Sequence, residues 1–223
     1  MHIVIDGNIG SGKTTQLNLL NSRDHMSVRR EPIDKWPLEL FYNDMSRWAL
    51  LLQLKILQTN RPSPANEVTV YERGLLGTRH VFWEYLLAKK LVRPEEHHVY
   101  EDAYDKYKWY PDVYIYLAKS PELAFEHIQR RGQTGDKSVT LAYMRDLDKL
   151  YVEMIRTVPC KVYIVNAEQT PEQIHAEILS ILSAYTVRRQ DGTWVLRHDD
   201  RWSKVSKRTP MSCTSLGDMC RVS

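Results

Sequence analysis

The residues best suited to chemistry begin with a glycine-rich stretch near the start of the chain. The stretch reads Gly7-Asn8-Ile9-Gly10-Ser11-Gly12-Lys13-Thr14, with Thr15 next. The spacing G-x-x-x-x-G-K-[ST] between a short apolar run and a helical pattern is typical of a P-loop, whose backbone N–H groups surround phosphates. Lys13 would then reach the β- and γ-phosphates of ATP, and the Thr14 hydroxyl would ligate Mg²⁺. A chance glycine turn is the alternative, and the flanking strand and helix patterns argue against it.

Two further predicted strand ends carry charged side chains. Glu31 is followed by Pro32, which favours extended backbone and directs the carboxylate off the sheet edge, where it could accept the proton of a hydroxyl. Glu72 and Arg73 end another strand, and they would hold Mg²⁺ and face the transferring phosphoryl group. Glu31 alone would suggest an ordinary strand-end glutamate paired to a surface lysine, and a surface Glu–Arg pair is the alternative for Glu72 and Arg73. Beside a P-loop, the catalytic interpretation is favoured.

A basic segment with two glycines, residues 129–137, links two predicted helices. Such a composition predicts a short lid that closes over phosphates and excludes water. A plain solvated connection between helices is the alternative.

The elements that must position these residues alternate along the chain. Runs rich in β-branched residues and tyrosine predict strands at 2–6, 27–30, 68–71, 112–117 and 161–165. Amphipathic stretches predict helices at 13–22, 37–59, 76–91, 95–109, 120–131, 138–156 and 171–185. The alternation predicts a three-layer α/β fold, with a five-stranded parallel sheet and helices on both faces. Ligands of such sheets bind at the carboxyl ends of the strands, where the charged residues fall.

Composition narrows the class of protein. A chain of 223 residues with 43% hydrophobic content supports one sizeable core. No apolar run approaches the 18 residues of a membrane span, and the early P-loop leaves no room for a leader peptide. The three cysteines, Cys160, Cys213 and Cys220, lack metal-ligand spacing, and so sparse a set suits a reducing, cytoplasmic location.

Charge separates the end of the chain from the rest. Residues 186–223 hold eight basic and four acidic side chains, whereas the whole chain carries a net charge of only +3. This predicts a solvated basic tail rather than a nucleic-acid-binding face on the core, with weak polyanion binding as the alternative. Asp191-Gly192 within the tail is a hairpin signal.

Taken together, these motifs resemble those of the deoxyribonucleoside kinases. The family carries I-E-G-N-I-G-S-G-K-T, E-P-x-x-x-W and E-R-S, which stand here as Ile5–Thr14, Glu31-Pro32 with Trp36, and Glu72-Arg73-Gly74. The similarity covers about residues 1–185, which would form one P-loop kinase domain with its lid near 129–137. It implies a kinase that moves the γ-phosphoryl group of ATP-Mg²⁺ to the 5′-hydroxyl of a deoxyribonucleoside, in nucleotide salvage for DNA synthesis. It also implies a homodimer, through the helices around 45–59 and 76–91.

The resemblance also implies a role for each matching residue. Glu31 would be the base, Arg73 would hold the hydroxyl and the phosphates, and the lid residue Arg131 would meet the donor phosphate. The nucleoside would be contacted by Trp36, Tyr42, Gln53, Ile56, Asn60, Thr78, Phe82 and Asp136. Among these, Gln53 would hydrogen-bond the base, while Tyr42 and Asp136 would contact the 3′-hydroxyl. Most aromatic residues at helical spacing are otherwise simply core.

Some positions depart from the family pattern. Gly74 replaces the serine of E-R-S, and Gln129 and Gln133 stand where lid arginines are common, although Arg130 or Lys137 could compensate. Asn60 and Thr78 stand where deoxycytidine- and purine-preferring relatives have an arginine–aspartate pair. The smaller, uncharged pair favours a pyrimidine substrate, thymidine first.

Two other functions share parts of this pattern. A nucleoside monophosphate kinase, such as a thymidylate kinase, has the P-loop and an E-P dipeptide, but it would present basic residues to an acceptor phosphate. A non-catalytic subunit of the same fold need not keep Lys13, Thr14, Glu31, Glu72 and Arg73 together.

Overall fold

A computed structural model describes residues 1–64, 67–132, 136 and 138–197. Its centre is a five-stranded parallel sheet in the order β2-β3-β1-β4-β5. The strands are β1 (His2–Asp6), β2 (Ser27–Arg29), β3 (Thr69–Glu72), β4 (Val113–Ala118) and β5 (Lys161–Asn166). The predicted sheet is therefore confirmed, with strand bounds within two residues of those expected.

Helices cover both faces of the sheet. They are α1 (Lys13–Ser22), α2 (Leu38–Asn43), α3 (Met45–Thr59), α4 (Leu75–Gly77), α5 (Glu84–Ala88), α6 (Pro94–Tyr107), α7 (Pro121–Arg131), α8 (Leu141–Met154) and α9 (Pro171–Ser183). Alternate residues of β1 face opposite sides. Val4 joins a core with residues of α3, α6 and α8, whereas Ile3 and Ile5 join a second core with α1 and α9. The predicted three-layer arrangement is present.

Two of the predicted helices are interrupted. The stretch 37–59 breaks at Asp44, whose carboxylate accepts the Arg47 backbone N–H at 3.1 Å and so begins α3 as a new helix. The stretch 76–91 contains a π-helix, Thr78–Trp83, between α4 and α5. Such wide turns cluster at functional sites, and this one carries Thr78 and Phe82. A 3₁₀ turn, Ile33–Lys35, follows Pro32.

The hairpin predicted at Asp191-Gly192 is present. Strands β6 (Thr186–Arg188) and β7 (Trp194–Leu196) pair in antiparallel fashion. The Trp194 indole donates to the Asp24 carbonyl oxygen at 2.7 Å, which anchors the hairpin beside the end of α1. The division into a domain at 1–185 and a tail at 186–223 stays a prediction, because residues 198–223 lie outside the described ranges.

Candidate active site

The P-loop joins β1 to α1 and is shaped by three glycines with positive φ. At Gly10 (φ 78°), a Cβ would lie 2.5 Å from the Ala124 carbonyl oxygen, so α7 passes too close for any side chain. Two contacts tie the loop to distant helices: the Asn8 amide donates to the Met144 carbonyl at 2.8 Å, and the His127 ring meets the Gly10 carbonyl at 2.8 Å. The loop is therefore braced by α7 and α8 as well as by its own turn.

Lys13 folds back onto its own loop. Its ammonium donates to the carbonyl oxygens of Gly7 (2.9 Å) and Asn8 (2.8 Å) and is buried. Burial, with a further contribution from the nearby positive charge of Arg73, lowers the pKa of Lys13 to about 8. A ligand phosphate in the loop would replace those carbonyls and favour the charged form.

The two residues predicted to hold magnesium are in contact. The Thr14 hydroxyl donates to Glu72 Oε1 at 2.5 Å, which places a hydroxyl and a carboxylate oxygen side by side at the mouth of the P-loop. Within the described ranges, no cluster of three or more His, Cys, Asp or Glu side chains could hold a metal ion. Mg²⁺ commonly binds through one or two protein oxygens with phosphates and waters completing the shell, so the pair fits such an ion.

Glu31 and Arg73 meet at the ends of β2 and β3. Arg73 Nε donates to Glu31 Oε1 at 2.7 Å, and the guanidinium lies over the Phe82 ring at 4.5 Å. Burial raises the pKa of Glu31, while the Arg73 charge opposes that rise. Arg73 has φ 57°, a conformation that is costly for a non-glycine residue and is typical of functional sites.

A buried polar network behind Arg73 was not foreseen from the sequence. Asp6, fully buried at the end of β1, accepts hydrogen bonds from Arg73 Nη1 (3.2 Å), Tyr151 (2.9 Å), Tyr114 (2.6 Å) and the Gly7 backbone N–H (2.7 Å). Tyr151 also contacts Arg73 Nη1. The strand-end position of Asp6 was visible in the sequence, but nothing there connected it to a tyrosine 145 residues away.

The predicted base pocket combines apolar walls with one unpartnered polar group. Trp36 and Ile56 are buried in the same core. Gln53 is 2% exposed, and its Oε1 has no hydrogen-bond partner among the described residues. A buried carbonyl oxygen without a donor is costly. A ligand N–H would satisfy it.

The hydroxyl of Tyr42 lies within electrostatic range of Arg73, Glu31, Asp136 and Arg131. Burial raises the pKa of Tyr42 to about 12, so it remains a neutral donor and acceptor at ordinary pH. The charges of both the catalytic pair and the lid pair therefore act on Tyr42.

Asn60 and Thr78, the two expected specificity positions, already have partners. The Asn60 amide donates to the Arg73 carbonyl at 3.1 Å, and its oxygen accepts from the Trp109 indole at 3.2 Å. The Thr78 hydroxyl donates to the carbonyl of Gly74, the residue before α4, at 3.3 Å. Asn60 thus supports the backbone of Arg73, a function that sequence reasoning missed.

In the lid, Arg131 and Asp136 bind each other. The guanidinium makes two contacts with the carboxylate, at 2.9 and 2.7 Å, in a bidentate ion pair. Gln133 and Lys137 lie outside the described residues. At Gly74, where the family has serine, a Cβ would make a tight contact with Val4 Cγ2, at 3.0 Å.

Comparison with known proteins establishes the family. Residues 3–185 match the family model described as Deoxynucleoside kinase. The chain belongs to the deoxynucleoside kinase family. It is therefore an enzyme, a phosphotransferase of nucleotide salvage, as the motifs in the P-loop and at Glu31 and Glu72 predicted.

Relatives of this kinase differ in the nucleoside that their names specify. A protein of Invertebrate iridescent virus 3, named only as a kinase, is 29% identical over 187 residues, covering 81% of this chain and 95% of its own. Mitochondrial thymidine kinase 2 of Homo sapiens is 29% identical over 171 residues, covering 69% and 63%. Deoxyadenosine kinase of Dictyostelium discoideum is 27% identical over 197 residues, covering 81% and 80%.

Solved structures support the same fold. Deoxyadenosine kinase from M. mycoides with bound dCTP superposes on this kinase with a TM-score of 0.74 at 24% identity, covering 82% of this chain and 100% of that one. The kinase also has no helix, in the ranges the structure describes, that is long and apolar enough to cross a membrane.

Proposed function

We propose that this kinase transfers the γ-phosphoryl group of ATP, bound with Mg²⁺, to the 5′-hydroxyl of a 2′-deoxyribonucleoside in the cytosol. The observation that supports this most directly is the partly buried Glu31–Arg73 pair at 2.7 Å, beside Lys13 and the Thr14–Glu72 pair. A carboxylate held by an arginine next to a phosphate loop suits proton acceptance from an alcohol.

The chain's residues would act mainly by positioning and by charge. The P-loop amides and Lys13 would bind the donor phosphates, and Thr14 with Glu72 would hold Mg²⁺, which offsets charge between the phosphates. Glu31 would orient the 5′-hydroxyl and take its proton, while Arg73 would remain charged near the transferring group. Its pKa is raised well above the ordinary value because its carboxylate neighbours outweigh the effect of burial.

The nucleoside would lie between Trp36, Gln53, Ile56 and Phe82. Gln53 Oε1 has no partner among the described residues, so it would accept from a base N–H. We propose a pyrimidine preference, with thymidine first, because the buried Thr78 is small and uncharged. Tyr42 and Asp136 would contact the 3′-hydroxyl, and Arg131 the donor phosphate.

The test is a phosphate-transfer assay with ATP-Mg²⁺ against thymidine, deoxycytidine, deoxyadenosine, deoxyguanosine and thymidine monophosphate. We expect turnover of nucleosides, fastest with thymidine. Glu31→Gln should lower kcat by roughly 10²–10⁴-fold, while the nucleoside should still bind. Glu39→Gln, an exposed carboxylate on α2, is the matched control. Turnover of the monophosphate alone would favour the thymidylate kinase alternative, and ATP binding without turnover would favour a non-catalytic subunit.

We also propose a homodimer. Its interface would involve the helices around 45–59 and 76–91, as the resemblance implies, and Leu51 on α3 offers an exposed apolar side chain there (55% exposed). Sedimentation of the protein and of Leu51→Glu would test this, since a charge on a buried interface should shift the population to monomers.

A further inference from the structure

Helix α7 meets the P-loop at Gly10. The His127 ring, half-buried on α7, lies with Nδ1 2.8 Å from the Gly10 carbonyl oxygen. A Cβ at position 10 would lie 2.5 Å from the Ala124 carbonyl oxygen and 2.7 Å from Ile128 Cγ2. Residues three and four apart share one face of a helix, so one face of α7 packs directly on Gly10.

The direction of the hydrogen bond between His127 and Gly10 follows from the acceptor. A carbonyl oxygen can only accept, so Nδ1 carries the proton. Nδ1 is protonated in one neutral tautomer of histidine and also in the imidazolium, so the bond can form in both charge states of the ring. The Gly10 carbonyl is therefore held toward α7 by a group outside the loop.

The same contact sets the direction of the next N–H group. The Gly10–Ser11 peptide is trans, and a trans peptide directs its N–H opposite to its C=O. The Ser11 N–H accordingly points away from α7, and its nitrogen lies 3.2 Å from the Asn8 carbonyl oxygen. Lys13 Nζ donates to that same oxygen at 2.8 Å. A backbone N–H and an ammonium thus converge on one oxygen, and a phosphate oxygen of ATP would take its place.

Gly10 needs such a restraint because glycine opposes rotation of its peptide less than other residues do. Its φ is 78°, and without a Cβ it reaches both signs of φ at little cost. If the Gly10–Ser11 peptide turned over, its carbonyl would face the phosphates in place of the Ser11 N–H. A carbonyl oxygen repels a phosphate oxygen, because both carry negative charge.

We propose that His127 is a positioning residue for the phosphate donor: its Nδ1–H holds the Gly10–Ser11 peptide in the orientation that presents the Ser11 N–H to ATP. This rests on the proposed function only insofar as the P-loop receives the phosphates of ATP. His127 acts through the loop and does not touch the substrate. Its loss should therefore weaken binding of ATP and leave the nucleoside unaffected.

The test is calorimetric titration of the full chain with ATP-Mg²⁺, without nucleoside, in the wild type, His127→Asn and His127→Gln. The asparagine amide nitrogen takes about the position of Nδ1, whereas the glutamine amide nitrogen takes that of Nε2. We expect His127→Gln to weaken binding about tenfold, the effect of losing a strong hydrogen bond, and His127→Asn to stay within about threefold of the wild type. Glu126→Asp, at an exposed position of α7, is the control and should match the wild type. The KM of the nucleoside should change less than about twofold in both His127 variants.

The order of the two His127 variants separates positioning from packing. Asparagine fills less of the space left by the ring than glutamine does. A residue that only supported packing would therefore lose at least as much ATP affinity in His127→Asn as in His127→Gln. Thermal unfolding of both variants measures the loss of packing by itself.

The other outcomes overturn the inference or the proposed function separately. Binding restored by His127→Gln and not by His127→Asn would assign a direct contact of Nε2 with ATP and overturn the positioning role. Equal affinity in the wild type and both variants, or an equal loss in both, would also overturn it. ATP binding that follows the expected order, without turnover of any nucleoside, would support the inference and refute the proposed reaction. No binding of ATP-Mg²⁺ by the wild type would refute both.

Discussion

The charge of Lys13 should depend on whether the donor is bound. In the free enzyme its pKa is about 8 because it is buried beside Arg73. At pH 8, about half of the molecules therefore carry a neutral Lys13. Donor phosphates favour the ammonium, so ATP binding should draw a proton from solution.

We expect ATP-Mg²⁺ binding to take up about half a proton at pH 8 and almost none at pH 6.5. Calorimetry in buffers of different ionisation enthalpy measures this directly. Lys13→Arg keeps the charge but does not titrate in this range, so its proton uptake should vanish. Uptake that persists in Lys13→Arg would assign the titration to another group.

Asp6 is a positioning residue, since it touches the catalytic pair only through Arg73. Asp6→Asn leaves a buried guanidinium with one acid partner fewer, and we expect the free energy of unfolding to fall by about 2–4 kcal/mol. We expect kcat to fall by a larger factor than the KM of the nucleoside rises, because the Arg73 guanidinium would no longer be held in position by Asp6. Tyr114→Phe, which removes a single hydrogen bond to Asp6, is the milder control. Equal losses in kcat for the two variants would contradict the positioning role.

At the same scale, the sequence predicted which strand ends bear the charged residues but not their partners. The positions of Glu31, Glu72 and Arg73 follow from strand patterns. The contact of Asp6 with Tyr151 depends on how α8 packs on the sheet, and its contact with Tyr114 depends on the pairing of β1 with β4; no local pattern encodes either. For the same reason the sequence did not show that the Asn60 side chain bonds the Arg73 carbonyl and the Trp109 indole, while its place beside the base stays a prediction.

Among the elements, the π-helix joins the Arg73 turn to the base pocket. It begins directly after Gly77, where a Cβ would lie 2.3 Å from Asp6 Oδ2. Glycine is needed here for space and not for its backbone freedom, because its φ is an ordinary −60°. The apolar pattern at 76–91 predicted a plain helix, since hydrophobic period alone does not distinguish a wide turn inside a helix.

Gly77→Ala should therefore lower the free energy of unfolding by about 1–3 kcal/mol, although alanine is the better helix former. Thermal or urea unfolding measures the change. Gly132→Ala is the comparison variant: its added Cβ would have no atom within 4 Å, but its φ is 63°, so it measures backbone strain without steric collision. A Gly77→Ala enzyme as stable as the wild type would mean that Asp6 moves aside without cost.

For the whole molecule, the sequence was most informative about architecture. The five strands, their parallel direction and the helical layers on both faces followed from the alternating patterns and the P-loop context. The order β2-β3-β1-β4-β5 itself depends on long-range pairing, for which the chain has no local marker. The hairpin at 186–196 was predicted by its turn, whereas its attachment to Asp24 was not.

Trp194 attaches that hairpin to the domain through its indole and a partly buried ring. We expect Trp194→Ala to lower the free energy of unfolding by about 2 kcal/mol, less than for a fully buried tryptophan. Leu196→Ala, at an exposed position of the same strand, should change it little. Unfolding in urea would show both, and equal effects would mean that the hairpin is held by its own pairing alone.

The bidentate pair between Arg131 and Asp136 has a thermodynamic consequence for how the two substrates assemble. If Arg131 serves the donor and Asp136 the sugar, each ligand must first separate the same two side chains. The first ligand to arrive bears the cost of separating them, and it leaves the second side chain free for the other ligand. ATP and nucleoside would then strengthen each other's binding by one common factor, so the resting enzyme would hold either substrate loosely and the pair of them tightly.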